Sequence, residues 1–245
     1  PVADASGQRL AWIEWDRPRQ PWVATRLCLR ESGERSRVLA GQGGVIELRP
    51  ARPEDVDAAI ALIYSSGPAA FDYVFAGTPK GSAQDFLRKA FVSGAGQFGY
   101  RQHWLGEQDG QVVAAGTALS GEVNLRNMAV AAAQIIAFYG PRHCWQVLWR
   151  GLQLERIVLP PPKRTFYLAH LGVSSALTGQ GIGSQLIDFL LQQGRATGFQ
   201  TTALDVSAGN PHAQRLYERL GFVVQVERAS HLPGIAAHRY LQRPL

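Results

Sequence analysis

The residues with the clearest chemical potential form the stretch Leu177-Thr-Gly-Gln-Gly-Ile-Gly-Ser184. It follows the apolar run 165–173 and precedes the amphipathic run 185–192, so we predict a strand, a glycine-rich turn and a helix. The three alternate glycines remove side chains where the helix begins, and its first N–H groups point outward at the positive end of the helix dipole. Such an end binds phosphate or pyrophosphate without a basic side chain. A glycine-rich turn that binds no ligand is the alternative.

A second motif follows a strand predicted at 203–206. Asn210 suits the N-cap of a helix, Pro211 suits its first position, and Gly221 ends it. Tyr217 lies on the apolar face of this helix, where core packing is one interpretation and a chemical role is another.

The glycine spacing fits two familiar phosphate-binding loops poorly. It has no Gly-Lys-Ser/Thr ending, which a nucleoside triphosphate loop requires, and its third glycine comes too early for a dinucleotide fingerprint. Instead, the Gly-x-Gly-x-Gly turn followed by Asn-x-x-Ala-x-x-Leu-Tyr-x-x-x-Gly-Phe at 210–222 resembles the Gcn5-related N-acetyltransferase (GNAT) superfamily. Leu-Arg-Pro-Ala-Arg-Pro-Glu-Asp at 48–55 is similar to the first strand and helix of that family, so the resemblance covers about residues 45–229. Thr178 departs from it, since the family usually has Gln or Arg there, and this change is expected to weaken cofactor affinity.

The resemblance implies an enzyme that moves an acetyl group from acetyl-CoA to a primary amine of a small molecule, peptide or protein. In the family, the cofactor arm pairs with backbone of the fourth strand, one of whose N–H groups polarises the thioester, and a tyrosine protonates the departing thiolate. The implied cofactor residues are Leu171, Val173, Thr178, Gly179, Gln180, Gly181, Ile182, Gly183, Ser184, Asn210 and Tyr217, with Tyr217 also the implied acid. Two other interpretations are a catalytically silent acyl-CoA-binding sensor or assembly module and a nucleotide-binding α/β domain. The motif at 210–222 argues against the nucleotide-binding domain.

The general base is less sharply defined by the sequence. His170 lies on the predicted fourth strand, and an unperturbed imidazole titrates near neutrality. Tyr167 on the same strand is the second candidate, and a carboxylate from the early helices acting through water is the third. A hydrogen-bonded core residue is the alternative role for His170.

The elements that position these residues predict an α/β (α+β) fold, with a mixed central sheet and helices on both faces. Predicted strands or helices cover 45–50, 53–64, 67–75, 82–92, 100–107, 111–119, 165–173, 203–206, 222–227 and 237–241. Asp109-Gly110 predicts a hairpin. Gly172 predicts a bulge or close backbone approach. The family resemblance implies that the fourth strand splays from the fifth at such a bulge. The resemblance implies that the region of the early helices lies over the acceptor site, so three aromatic residues are expected either to line that site or to pack in the core: Phe71, Tyr73 and Phe75.

Two regions depart from the family pattern. Residues 121–163 read as a helical insertion before the fourth strand, with helices at 123–138 and 142–154 separated by Gly140-Pro141. We expect this insertion to shape the substrate pocket or to form a homodimer contact, with four candidate pocket residues: His143, Trp145, Trp149 and Arg150. Residues 1–44 are predicted to be an N-terminal β extension of the domain at 45–245, and they resemble one blade of a prolyl-oligopeptidase-type propeller.

Composition narrows the function classes. The 245 residues carry a net charge of +6, but the basic residues are scattered, so we predict no nucleic-acid partner. Two cysteines argue against a disulfide framework and favour a reducing compartment, and neither has metal-ligand neighbours, so no zinc site is predicted. No membrane-spanning run or secretory segment is evident, and a cytoplasmic location is expected.

Overall fold

The computed structural model describes residues 36–37 and 46–245, and the predicted N-terminal β extension at 1–44 lies outside them apart from a two-residue strand. One sheet has the strand order β1-β2-β3-β4-β5-β6-β8-β7. The strands are β1 (Ser36–Arg37), β2 (Glu47–Pro50), β3 (His103–Gln108), β4 (Gln111–Ser120), β5 (Thr165–Val173), β6 (Thr201–Ser207), β7 (Val223–Arg228) and β8 (His238–Pro244). The α-helices are α1 (Val56–Ser65), α2 (Pro68–Phe75), α3 (Ala83–Ser93), α4 (Asn124–Leu154), α5 (Ile182–Ala196) and α6 (Pro211–Arg219).

The sheet is mixed, as predicted. All strand pairs are antiparallel except β5 with β6, which is parallel. That parallel register covers only Thr165–Tyr167 against Thr201–Ala203, so the rest of β5 runs on without pairing to β6. The two central strands therefore part after Tyr167, earlier along β5 than Gly172, where the splay is predicted.

Helices cover both faces of the sheet. Helix α1 lies against β5 at Gly172, where an added Cβ would be 2.1 Å from the carbonyl oxygen of Leu62. Helix α5 lies on the opposite face, where a Cβ at Gly116 would contact Leu186 at 3.2 Å and Leu171 of β5 at 3.0 Å. Consecutive residues 171 and 172 thus face opposite layers, which is the alternation expected of a buried strand.

Replacement of Gly172 by Ala tests this close approach of α1. The two nearest atoms are the backbone O and C of Leu62, which cannot rotate away, so we expect the free energy of unfolding to fall by about 1–3 kcal/mol. Gly151→Ala is the control, because its nearest neighbour is 4.0 Å away in mid-helix and the change should leave stability equal or higher. Urea denaturation measures both. Wild-type stability of Gly172→Ala would contradict the packing.

Of the two features predicted at Gly172, the close backbone approach is confirmed there, whereas the bulge in β5 lies at His170. Ala115 pairs with Gly172 and Thr117 pairs with Ala169, so β5 has one more residue than β4 between these pairs. His170 has a φ of 53°, a left-handed conformation that is uncommon outside glycine. The extra residue places Ala169 and His170 on the α1 face together.

The insertion between β4 and β5 is helical, as predicted. Helix α4 is broken at Gly140, whose φ of 70° and ψ of 173° are not helical. The two ends of the insertion lie close together, since a Cβ at Gly121 would lie 2.2 Å from the carbonyl oxygen of Pro161. Tyr139 Oη donates to Phe75 O at 2.6 Å, and Arg150 Nη1 donates to Ala76 O at 2.7 Å. Both bonds hold the insertion on the C-terminal end of α2.

Within the described residues, no single helix is long and apolar enough to cross a membrane, although the bent pair Pro53–Ser65 and Pro68–Phe75 meets the length and composition criteria when taken together.

Candidate active site

The turn before α5 has the backbone shape of an anion-binding site. Gly179 and Gly181 have φ values of 83° and 82°, which L side chains rarely adopt. A Cβ at either position would meet no protein atom within 4 Å, so conformation and not crowding requires glycine there. Gly183 differs, because its Cβ would lie 3.2 Å from Leu216 Cδ2, where α6 packs closely.

Four backbone N–H groups at the start of α5 are open to a ligand. Thr178 N donates to Ser175 O at 3.4 Å and Gln180 N to Leu177 O at 3.3 Å, which closes the turn. Gln185 N, which donates to Gly181 O at 3.1 Å, is the first amide to enter the helix ladder. The four preceding amides, at 181–184, have no acceptor among the described residues. A 15-residue helix adds partial positive charge at this end, so the turn fits a pyrophosphate.

Tyr217 is positioned by α6. Asn210 Oδ1 accepts from Ala213 N at 3.0 Å, which confirms the predicted N-cap, and Pro211 occupies the first turn. The ring of Tyr217 is buried, with a centroid 6.1 Å from that of Phe222 in an edge-on contact. Its hydroxyl has no hydrogen-bond partner among the described residues and is not sealed in the core. Burial raises the pKa of Tyr217 to about 12, so the phenol keeps its proton.

A second histidine lies beside His170, and the sequence did not reveal it. His103 Nε2 is 3.1 Å from His170 Nδ1, across 67 positions of sequence. The two rings are tilted by only 8°, with centroids 5.3 Å apart, so the nitrogens meet edge to edge. His103 Nδ1 lies 2.9 Å from the carbonyl oxygen of Gly99. His103 is the first residue of β3, and strand register brings it to the same face as Ala169 through Thr117.

The surroundings of this pair are aromatic. The ring of Phe98 stacks on His170 at 5.6 Å and 15°, and the Phe71 ring centroid is 5.9 Å from that of His170. Phe91 lies 5.8 Å from His103. Burial lowers the pKa of His103 to about 4 and, together with the charge of His103, that of His170 to about 3. Both imidazoles are therefore neutral at physiological pH, and the predicted titration of His170 near neutrality is not what this environment gives.

Comparison with known proteins decides the family. The sequence profile of the acetyltransferase (GNAT) family matches residues 82–222, more than half of the chain. This protein belongs to the GNAT acetyltransferase family. Acetyl-CoA is the acetyl donor of that family, and amines are its acceptors.

Individual relatives are more distant. Mycothiol acetyltransferase of Corynebacterium glutamicum is 44% identical over 54 residues, which are 22% of this chain and 18% of the relative. The chain thus matches about a fifth of the length of that curated relative. An N-acetyltransferase from Staphylococcus aureus Mu50 has a TM-score of 0.61 at 21% identity over 80% of this chain and 99% of its own. Drosophila melanogaster polyamine N-acetyltransferase, which forms N-acetylagmatine, has a TM-score of 0.52 at 19% identity over 82% and 100%. These structures share the GNAT fold.

Tyr167, the second base candidate, lies on β5 and is hydrogen-bonded to a carboxylate. Its hydroxyl donates to Asp205 Oδ2 at 2.8 Å, and Asp205 also accepts from Arg228 Nη1 at 3.1 Å. Burial and the neighbouring carboxylate raise the pKa of Tyr167 well above its usual value. Tyr167 is therefore unsuited to act as the general base, because its hydroxyl is protonated and donates to Asp205.

Five of the seven predicted acceptor-side residues have surroundings that bear on their role. Phe71 contacts His170 directly, whereas Phe75 stacks on Phe86 at 4.3 Å within the core. Trp145 and Trp149 of the insertion are 66% and 54% exposed, so they do not line a closed pocket. Arg150 is occupied by the carbonyl of Ala76 and has a structural role.

Proposed function

We propose that this protein transfers an acetyl group from acetyl-CoA to a primary amine of a small molecule, peptide or protein. The observation that carries the proposal is that β5 stops pairing with β6 after Tyr167 and that the same strand leads into the turn with the open amides at 181–184. A gap between two strands beside an anion-binding helix end accommodates a long ligand with a pyrophosphate at one end. Family membership supplies the identity of that ligand.

Acetyl-CoA supplies the acetyl group as a thioester. The amides at 181–184 would hold its pyrophosphate at the N-terminus of α5. The free edge of β5 at Leu171 and Val173 would pair with the extended arm of the cofactor, and one of these N–H groups would polarise the reacting carbonyl oxygen. Asn210 already caps α6, so any contact with the arm would be an additional role.

The proton balance assigns one role to each of two side chains. The amine first loses its ammonium proton to solvent and attacks in the neutral form: its nitrogen forms a bond to the acetyl carbon, and the carbon–sulfur bond breaks. The proton of the nitrogen passes to His170 Nε2 as the new bond forms, because the nitrogen then becomes much more acidic. The sulfur receives the proton of Tyr217, whose raised pKa keeps the hydroxyl protonated until then. Both side chains exchange protons with solvent afterwards, and the products are an N-acetylated amine and free coenzyme A.

Calorimetric titration with acetyl-CoA tests the cofactor site, with adenosine 3′,5′-bisphosphate as the control ligand that lacks pyrophosphate and arm. We expect micromolar binding of acetyl-CoA and no comparable binding of adenosine 3′,5′-bisphosphate. Thiol release with a panel of primary amines then tests catalysis. Tight binding without thiol release for any amine would favour the silent acyl-CoA-binding module, and no binding at millimolar cofactor would contradict both.

Replacement of Gly181 by Ala should weaken acetyl-CoA binding at least about tenfold, because the φ of 82° cannot be kept without strain and the adjacent amides shift. Gly198→Ala is a matched control, since Gly198 also has a φ of 82° and open space around it, but lies beyond the other end of α5. Both variants should lose about 1–2 kcal/mol of stability. Only Gly181→Ala should raise the calorimetric Kd, and an equal effect of both would contradict the assignment.

A further inference from the structure

The hydrogen bonds of the histidine pair determine which nitrogen carries each proton. The carbonyl oxygen of Gly99 is an acceptor only, so His103 Nδ1, at 2.9 Å, must be the protonated nitrogen. A neutral imidazole has a single N–H, so His103 Nε2 carries a lone pair. His170 Nδ1, at 3.1 Å from that lone pair, must then be the donor. His170 Nε2 is left without a proton.

That remaining nitrogen is open. His170 Nε2 has no hydrogen-bond partner among the described residues, and it is not among the buried polar atoms that lack one. His170 is partly exposed, whereas only 2% of His103 is accessible. The pair thus presents one lone pair at its outer end and none at its inner end.

We propose that His103 is a positioning residue, which fixes His170 in the Nδ1–H tautomer and so leaves His170 Nε2 as the nitrogen that accepts the proton of the acceptor amine. The proposal rests on the function proposed above for its catalytic consequence, whereas the tautomer itself is independent of any substrate. Stacking of Phe98 on His170 and the packing of Phe91 on His103 hold both rings in the plane that this bond requires.

Two substitutions at one position separate the two bonds of His103. Asn has its amide nitrogen near the place of Nδ1, so His103→Asn keeps the bond to Gly99 and loses His170. Gln has its amide oxygen near the place of Nε2, so His103→Gln keeps an acceptor for His170 and loses Gly99. Gly99 O still accepts from Gln102 N at 3.1 Å in the second case, which limits the structural damage.

Nitrogen-15 NMR of the histidine side chains in the full chain, without substrate, measures the tautomer. We expect a protonated Nδ1 and an unprotonated Nε2 for His170 in the wild type and in His103→Gln, and loss of that preference in His103→Asn. In the acetyl-transfer assay, kcat should fall roughly 10–100-fold in His103→Asn at unchanged KM and be largely retained in His103→Gln.

A wild-type His170 in the Nε2–H tautomer would overturn the proposal, and so would a His103→Asn variant with full kcat. A purely structural role for His103 predicts the reverse order, with the Gln variant the more damaged. If no amine is acetylated at all, the proposed function fails while the NMR result still decides the tautomer.

Discussion

Tyr217→Phe is expected to lower kcat by roughly 10²–10⁴, the usual contribution of a general acid. The variant keeps the aromatic ring and its contact with Phe222, and it removes a hydroxyl that has no partner among the described residues. Stability and the Kd for acetyl-CoA should therefore stay close to wild-type values. The measurement is thiol release at saturating acetyl-CoA, together with calorimetric titration.

Tyr139→Phe is the matched control for this change. The Tyr139 hydroxyl donates to Phe75 O at 2.6 Å in the core, so its loss should cost about 0.5–1.5 kcal/mol of stability and leave kcat intact. Tyr217→Phe should thus lower kcat and leave stability unchanged, whereas Tyr139→Phe should lower stability and leave kcat unchanged. Full kcat in Tyr217→Phe would exclude the acid role and leave packing as its function.

His170→Gln should also lower kcat by roughly 10²–10⁴, since the glutamine amide cannot accept the proton that the reaction releases. His231→Gln is a suitable control because His231 is exposed in the loop between β7 and β8. His170→Gln should bind acetyl-CoA with the wild-type Kd. Unchanged turnover would exclude His170 and direct attention to a carboxylate acting through water.

The pH dependence of His170→Gln gives a second, sharper test. Since burial lowers the pKa of His170 to about 3, the wild-type imidazole is already unprotonated well below neutrality. The ratio of wild-type to variant kcat should therefore be constant from about pH 6 to 9. A histidine with an ordinary pKa near 6.5 would become protonated at the acidic end, and the ratio would shrink there.

Much of this protein can be read from local sequence. The glycines at 179 and 181 predict the turn because L side chains rarely adopt the φ values near 82° found there. Asn210 and Pro211 define the start of α6, and Asp109-Gly110 defines the hairpin, by the same kind of local constraint. The break of α4 at Gly140 follows from the glycine–proline pair. The N-terminal β extension at 1–44 and a homodimer contact of the insertion stay predictions.

Only the tertiary structure decides the surroundings of His170, the proposed base. Strand alternation would place His170 on the face opposite Ala169, but the extra residue in β5 turns it towards His103, two strands away in the sheet. Nothing in the sequence links positions 103 and 170, since the contact depends on the registers of β3 with β4 and of β4 with β5. The same burial then moves the pKa values of both imidazoles downwards, because a charged ring is poorly solvated among phenylalanines. The sequence predicts where acetyl-CoA would bind, and the assembled sheet leaves His170 Nε2 as the nitrogen of the histidine pair with no hydrogen-bond partner among the described residues.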